Sequence, residues 1–192
     1  GRLTTKRFPD NNTVKYEYDG AGRVTKETNP KSAETIKTYD GMGNVLTVKD
    51  SAGNVTTYEY NAMGKVTRIA NAAAGTTLYT YSKAGDLLTE TDAFGKTKTY
   101  TYDAYGNRLT ATDAKGNTTT YTYDEVGNLL TVTDALNHTT TYTYDKLNRL
   151  VSVEDAKDNT VTYGYDALGR RTTITDARGN EFETEYDGNG NV

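Results

Sequence analysis

His138 is the residue whose chemistry is most versatile, and it is the single histidine of a chain that contains no cysteine. A Ser-His-Asp or Cys-His catalytic set therefore finds no support in the sequence. Thiolate metal sites and disulfides are excluded as well. His138 also stands where other parts of the chain carry an asparagine in a polar turn, as at Asn54, Asn117, Asn159 and Asn180. We therefore expect a solvated turn residue, neither catalytic nor metal-binding.

Aspartates at regular intervals are the second candidates for chemistry, because carboxylate oxygens are the ligands that calcium prefers. Asp113, Asp134, Asp155 and Asp176 each open a short turn that contains glycine or asparagine. Calcium-binding β-rolls use nine-residue units, and the spacing here differs. An aspartate in such a turn can instead accept hydrogen bonds from backbone N–H groups. Glycoside hydrolysis would need one carboxylate pair in a cleft, whereas these acids recur or scatter. We expect backbone capping, with no catalytic, metal or cofactor site.

Tyrosine is the third candidate, since 17 tyrosines could stack on sugar rings or pack against one another across a sheet. Choline-binding repeats are hairpins of similar length, but their aromatic cages rely on tryptophan, which this chain lacks. Cross-strand packing of aromatic pairs is the preferred interpretation. Sugar stacking stays as the alternative.

All these residues belong to one repeat of 21 residues, which runs without insertion or deletion. Its main tyrosine series is Tyr18, Tyr39, Tyr60, Tyr81, Tyr102, Tyr123, Tyr144, Tyr165 and Tyr186. Four residues after the tyrosine comes a glycine, at Gly22, Gly43, Gly64, Gly85, Gly106, Gly127, Gly169 and Gly190, with Asn148 as the one substitute. Glycine and asparagine tolerate the left-handed backbone conformation best. These positions are the structural repeat positions of the chain, and we expect the tyrosines to end equivalent strands.

Two turns in each repeat leave two strands between them, as in Thr118–Tyr123 and Asn128–Thr133. Alternation along a strand places Tyr121 and Tyr123 on one face and the intervening threonines on the other. The sequence therefore predicts an all-β fold in which tandem hairpins form a long curved antiparallel sheet, with burial on the tyrosine side. Residues 1–192 are expected to form one array of about nine repeats, cut within a repeat at both ends.

Composition narrows the partners. The hydrophobic fraction of 34% is below that of ordinary globular domains. The net charge of -4 is dispersed along the chain, which argues against a nucleic-acid partner. No apolar run is long enough to cross a membrane. We therefore expect neither nucleic-acid binding nor membrane insertion.

The recurring string of Tyr-Asp, two variable residues, Gly and then Asn or Arg resembles the YD or Rhs repeat over essentially the whole chain. That family includes bacterial Rhs proteins and wall-associated polymorphic toxins, the B and C components of toxin complexes, and teneurins. The resemblance implies a spiral β-shell that encloses a C-terminal toxin in bacterial members, and a secreted or cell-surface location. Lys37 and Thr184 depart from the pattern, because each replaces the first tyrosine of a pair.

Two functional hypotheses follow. The first is a non-catalytic segment of an Rhs-type shell or scaffold, whose partners are the rest of the parent array and a C-terminal cargo or toxin domain. The second is an adhesive or carbohydrate-binding module that contacts cell-surface glycan. Exposed strands at the two ends of the array also predict edge-to-edge self-association.

Overall fold

The computed structural model describes residues 1–71 and 73–192 of the chain. Its elements are eighteen β-strands: β1 (Thr5–Arg7), β2 (Thr13–Tyr18), β3 (Val24–Thr28), β4 (Glu34–Tyr39), β5 (Val45–Lys49), β6 (Val55–Tyr60), β7 (Val66–Asn71), β8 (Gly75–Tyr81), β9 (Leu87–Thr91), β10 (Thr97–Tyr102), β11 (Arg108–Thr112), β12 (Thr118–Tyr123), β13 (Leu129–Thr133), β14 (Thr139–Tyr144), β15 (Leu150–Glu154), β16 (Thr160–Tyr165), β17 (Arg171–Thr175) and β18 (Glu181–Glu183). Among the described residues no helix is long and apolar enough to cross a membrane.

The chain divides into two compact units, Gly1–Lys98 and Thr99–Val192, with the boundary inside β10. Within the first unit, β1 to β9 pair in chain order, each antiparallel to the next. Within the second unit, β10 to β18 do the same. The predicted all-β architecture of tandem antiparallel hairpins is confirmed.

A β-bulge recurs where each even-numbered strand meets the odd-numbered strand that follows it. In β12 and β13, Tyr121 lies opposite Val132 and Thr122 opposite Thr131, and then the register shifts so that Tyr123 lies opposite Leu129. The same shift occurs at the equivalent place in each even-to-odd pair of the two units. A bulge bends the strand and increases its twist. The extra residue of each bulge lies on the odd-numbered strand, as Leu130 does between Leu129 and Thr131.

The two faces differ in chemistry as the alternation predicts. On the threonine face, hydroxyls of facing strands hydrogen bond, as between Thr122 and Thr131 at 2.6 Å and between Thr112 and Thr118 at 2.8 Å. On the tyrosine face, Tyr142 lies directly opposite Val153. Such cross-strand pairs each contribute roughly 0.2–1 kcal/mol to a sheet.

Burial is partial, in line with the low hydrophobic fraction of the chain. Among the described residues no hydrophobic side chain is fully buried, and the strand tyrosines are half-buried. The reason lies in the single layer of strands, where a ring is covered only by its neighbours on the same face. Stability must therefore come from contacts between adjacent strands and turns, as in other repeat proteins.

Candidate functional site

The Tyr-Asp turn is the five-residue loop that starts at the aspartate after each main-series tyrosine. In the turn Asp124–Asn128, the Asp124 N–H donates to the Asn128 carbonyl at 3.0 Å. The Gly127 N–H donates to the Asp124 carbonyl at 3.1 Å, and Gly127 has a φ of 93°. This geometry needs one left-handed residue, which glycine supplies without strain. Asn148 adopts the same conformation, with a φ of 59°.

The aspartate side chain closes the turn from outside. Asp124 Oδ1 accepts hydrogen bonds from the Val126 N–H at 3.1 Å and the Asn128 N–H at 2.8 Å, and Oδ2 accepts one from Asn128 Nδ2 at 2.8 Å. The side-chain hydrogen bond from Asn128, followed by the backbone N–H donors, lowers the pKa of Asp124 below its ordinary value. Both oxygens are therefore occupied in holding the loop.

The second turn of each repeat, which links an odd-numbered strand to the next even-numbered one, uses the same device. Asp113 Oδ1 accepts from the N–H groups of Lys115 and Asn117 at 2.8 and 2.9 Å, and Oδ2 accepts from Asn117 Nδ2 at 2.8 Å. Asp134, Asp155 and Asp176 accept equivalent backbone bonds. Among the described residues no group of three or more His, Asp or Glu side chains is arranged to hold a metal ion.

His138 lies in one of these second turns. Its Nδ1 is 2.9 Å from Asp134 Oδ2, in the place that Asn117 Nδ2 takes at Asp113. The imidazole is 62% exposed. Its geometry is that of an asparagine substitute in a solvated turn.

Several tyrosines of the main series donate a hydrogen bond from the side-chain hydroxyl to a backbone carbonyl of the preceding repeat. Tyr39 Oη donates to the Val24 carbonyl at 2.7 Å, which joins the end of β4 to the start of β3. The same bond, always to the residue fifteen positions earlier, is made by Tyr18, Tyr60, Tyr81, Tyr165 and Tyr186 at 2.6 to 3.0 Å. We call this bond the tyrosine clamp. The tyrosine clamp was not predicted from the sequence, although its constant interval is present in the repeat.

Arginine at the fifth turn position makes a further link between repeats. Arg23 Nε donates to Asp19 Oδ2 at 2.7 Å, and its Nη1 donates to the Asp40 carbonyl of the next turn at 2.7 Å. The Arg23 guanidinium also lies over the Tyr39 ring, 4.7 Å from its centre. Arg149 and Arg170 repeat all three contacts. Asparagine at this position reaches the next turn where Asn128 Nδ2 donates to Asn148 Oδ1 at 3.1 Å. Arginine instead reaches a backbone carbonyl of the next turn and covers a tyrosine ring.

The structure places the repeat positions as follows. Each main-series tyrosine from Tyr18 to Tyr165 is the last residue of an even-numbered strand. Tyr186 differs, because β18 ends at Glu183 and the tyrosine lies three residues beyond it. The expectation that all nine end a strand is therefore wrong for Tyr186, although its hydroxyl still donates to the Arg171 carbonyl at 3.0 Å. The eight glycines of the series all have positive φ.

Two models of known protein families match the chain. A family model described as teneurin YD-shell matches residues 4–134, and a model described as RHS repeat matches residues 123–160 and 144–181. The chain belongs to the YD-shell family of Rhs-type repeats. The predicted family is thus confirmed, and the YD-shell chain is a structural shell repeat.

Solved structures share the fold. A Tc holotoxin pore structure from Photorhabdus luminescens that carries a TccC3 mutation matches 98% of the YD-shell chain at 19% identity, with a TM-score of 0.64. A crystal structure of TcdB2-TccC3-Cdc42 matches 90% at 18% identity, with a TM-score of 0.57. The chain spans about 12% of the length of each. No curated protein matches it significantly.

Proposed function

We propose that residues 1–192 are one array of wall repeats, which encloses or presents a toxin or other cargo and carries out no catalysis of its own. The proposal rests on the observation that the regularly repeated polar side chains form hydrogen bonds to the protein's own backbone. The turn carboxylates bind backbone N–H groups of their own loop, and the tyrosine hydroxyls bind carbonyls of the neighbouring strand. The repeat's most regular polar side chains thus close the turns and hold one repeat against the next, the carboxylates doing the first and the tyrosine hydroxyls the second.

Membership in the shell family supports this proposal, as do the Tc toxin structures that share the fold. A shell wall needs length and regularity, and both come from a 21-residue unit without insertions. The partners of the segment would be the remaining repeats of a longer protein and a cargo domain enclosed by them. A secreted or cell-surface location fits the same role.

Protease protection of the cargo in the full-length parent protein tests the wall function. We expect the segment beyond the repeats to resist digestion while the array is intact. The double variant Asp124→Ala with Asp145→Ala removes the acceptors of two turns and should open the segment to cleavage. Lys115→Ala, at an exposed turn position, is the matched control and should leave protection unchanged. Rapid cleavage of the segment in the unaltered protein would refute the wall function.

The alternative function is glycan binding, and one observation favours it. Tyr105 is 90% exposed and lies beside Tyr121 and Tyr123 in an open surface groove that also contains Asp103 and Asn107. An exposed aromatic ring next to polar groups is an arrangement that sugars can use. Titration of the chain with cell-surface polysaccharide, compared with Tyr105→Ala, decides the question. Saturable binding that the substitution abolishes would favour the adhesive module over the wall.

A further inference from the structure

Asn107 takes the place in its Tyr-Asp turn that Arg149 takes two repeats later. Arg149 lies between two successive Tyr-Asp turns and binds both. Its Nε donates to Asp145 Oδ2 at 2.7 Å, and its Nη1 donates to the Asp166 carbonyl of the next turn at 3.4 Å. Its guanidinium lies 4.6 Å from the centre of the Tyr165 ring. The repeat thus holds a guanidinium with a carboxylate, a carbonyl and an aromatic ring.

The turn that ends at Asn107 keeps these three features. Asp103 Oδ2 accepts a hydrogen bond from Asn107 Nδ2 at 2.9 Å, and the Asp124 carbonyl of the next turn accepts one from the Gly127 N–H at 3.1 Å. Each of these oxygens has two lone pairs, so each can accept a further bond. Asn107 Oδ1 is a third acceptor and lies 3.7 Å from the point that a Cβ on Gly127 would occupy. Tyr123 supplies the ring, as the main-series tyrosine of the second turn.

An open groove of about 510 Å³ lies between these two turns. In the described structure its lining includes no lysine or arginine but three carboxylates, those of Asp103, Asp124 and Glu125. Tyr105 and Tyr123 add aromatic rings to the lining. Arg108 is turned away to the Tyr100 ring, 5.0 Å from its centre. The groove therefore offers acceptors, negative charge and aromatic faces to a cation that comes from outside the groove.

Other turns without arginine lack this combination. One repeat further on, Asn128 Nδ2 donates to Asn148 Oδ1 at 3.1 Å, and Lys146 brings a positive charge into that second turn. The turn that follows Asn44 begins with Asn61 in place of an aspartate. Neither pair of turns has the same excess of carboxylates as the groove beside Asn107.

We propose that the groove between the turns Asp103–Asn107 and Asp124–Asn128 binds a guanidinium group, in the way that Arg149 is bound two repeats later. A guanidinium is planar, has five N–H donors and stacks on aromatic rings, so it suits these acceptors and rings better than an ammonium does. The group is carried either by an arginine side chain of another polypeptide or by a small guanidinium compound. This inference does not depend on the wall function.

Titrations of the 192-residue chain, followed by NMR of its backbone amides, test the site. The probes are the capped peptide acetyl-Gly-Arg-Gly-amide, agmatine as a free guanidinium compound, and acetyl-Gly-Lys-Gly-amide as the ammonium control. We expect saturable shifts at the amides of Asn107 and Gly127 with a guanidinium probe, in the millimolar range. The lysine peptide should bind at least about threefold more weakly. Added salt should weaken the binding by screening the charges.

Two variants and a control locate the binding. Asn107→Arg should fill the groove with the chain's own guanidinium, abolish binding and raise the melting temperature, because it adds the contacts that Arg149 makes. Glu125→Gln removes a carboxylate from the groove and should weaken binding by about threefold. Glu154→Gln removes an exposed carboxylate of β15, outside the groove, and should leave binding unchanged.

The comparison of probes separates the two sources of the group. Tighter binding of the arginine peptide than of agmatine would assign the groove to a polypeptide partner, and the reverse would assign it to a small compound. The proposal would be overturned by the absence of saturable shifts with both guanidinium probes, by equal binding of the lysine peptide, or by undiminished binding to Asn107→Arg.

Discussion

The tyrosine clamp is the contact that most directly tests how one repeat stabilises the next. In Tyr165→Phe the ring stays, and the hydrogen bond of 2.8 Å to the Leu150 carbonyl is lost. An intramolecular hydrogen bond contributes about 0.5–1.5 kcal/mol net. Because Tyr165 is half-buried and water can reach the freed carbonyl, we expect a loss near the lower end, about 0.5–1 kcal/mol.

Urea denaturation measures this loss. At an m-value of about 2 kcal/mol/M, the expected change lowers the urea midpoint by about 0.25–0.5 M, with an unchanged slope. Repeat arrays need not unfold in one step, so hydrogen exchange of the amides in β15 and β16 should accompany the denaturation. We expect Tyr165→Phe to speed amide exchange more in these two strands than in β12 and β13.

Tyr163→Phe is the matched control. Tyr163 lies two residues before Tyr165 in the same strand and on the same face, and in the described structure its hydroxyl makes no hydrogen bond to another protein group. The control should leave the urea midpoint unchanged within about 0.1 M. Equal destabilisation by both substitutions would show that the hydroxyl bond to Leu150 does not hold the repeats together, and would refute the clamp.

Three further predictions concern the turns. Gly179 has a φ of 82° and open space where a Cβ would lie. Gly179→Ala should therefore lower the free energy of unfolding by about 1–2 kcal/mol through backbone strain alone, and Gly179→Asn should lower it clearly less in the same urea titration. Equal losses would contradict this explanation. Hydrogen bonds lower the pKa of Asp113 and Asp124 in the folded chain, so the stability that these carboxylates contribute is complete above the ordinary aspartate pKa and is lost as the pH falls through the lowered values. The drop in melting temperature on acidification should therefore be smaller in the double variant Asp113→Asn with Asp124→Asn. An identical drop would exclude these carboxylates as its cause. Thermal melts with calcium and with chelator should coincide, because the Asp113 and Asp134 oxygens accept backbone hydrogen bonds; a large calcium-dependent rise would favour ion binding instead.

Regular features of the repeat could be read from the sequence because they depend on local chemistry. The interval between Tyr123 and Tyr144 fixes the strand period, and the glycine of each turn marks the left-handed residue. The predicted bounds of β12, Thr118–Tyr123, are confirmed, since the tyrosines and threonines between two turns fix the register.

Contacts between repeats were not predictable in the same way. In a strict 21-residue repeat every pair of positions has a constant interval, so the fifteen-residue spacing of Tyr39 and Val24 does not stand out. The bridge from Arg23 to Asp40 depends on the length and direction of one side chain. The degree of burial could not be predicted from the sequence either, because an aromatic face has the same residue pattern whether or not a second layer covers it.

Because each strand pairs with its neighbours in the chain, such a protein can fold while it is being synthesised. Within each unit, every paired strand is next to its partner in the chain, and side-chain links such as that from Arg23 to the Asp40 carbonyl span 17 residues. A newly synthesised hairpin therefore needs no segment that is still inside the ribosome or a translocation pore. Because such short-range contacts form quickly, folding can keep pace with emergence, one repeat after another. Under a pulling force the same chain would yield in steps of about one repeat, in the reverse order.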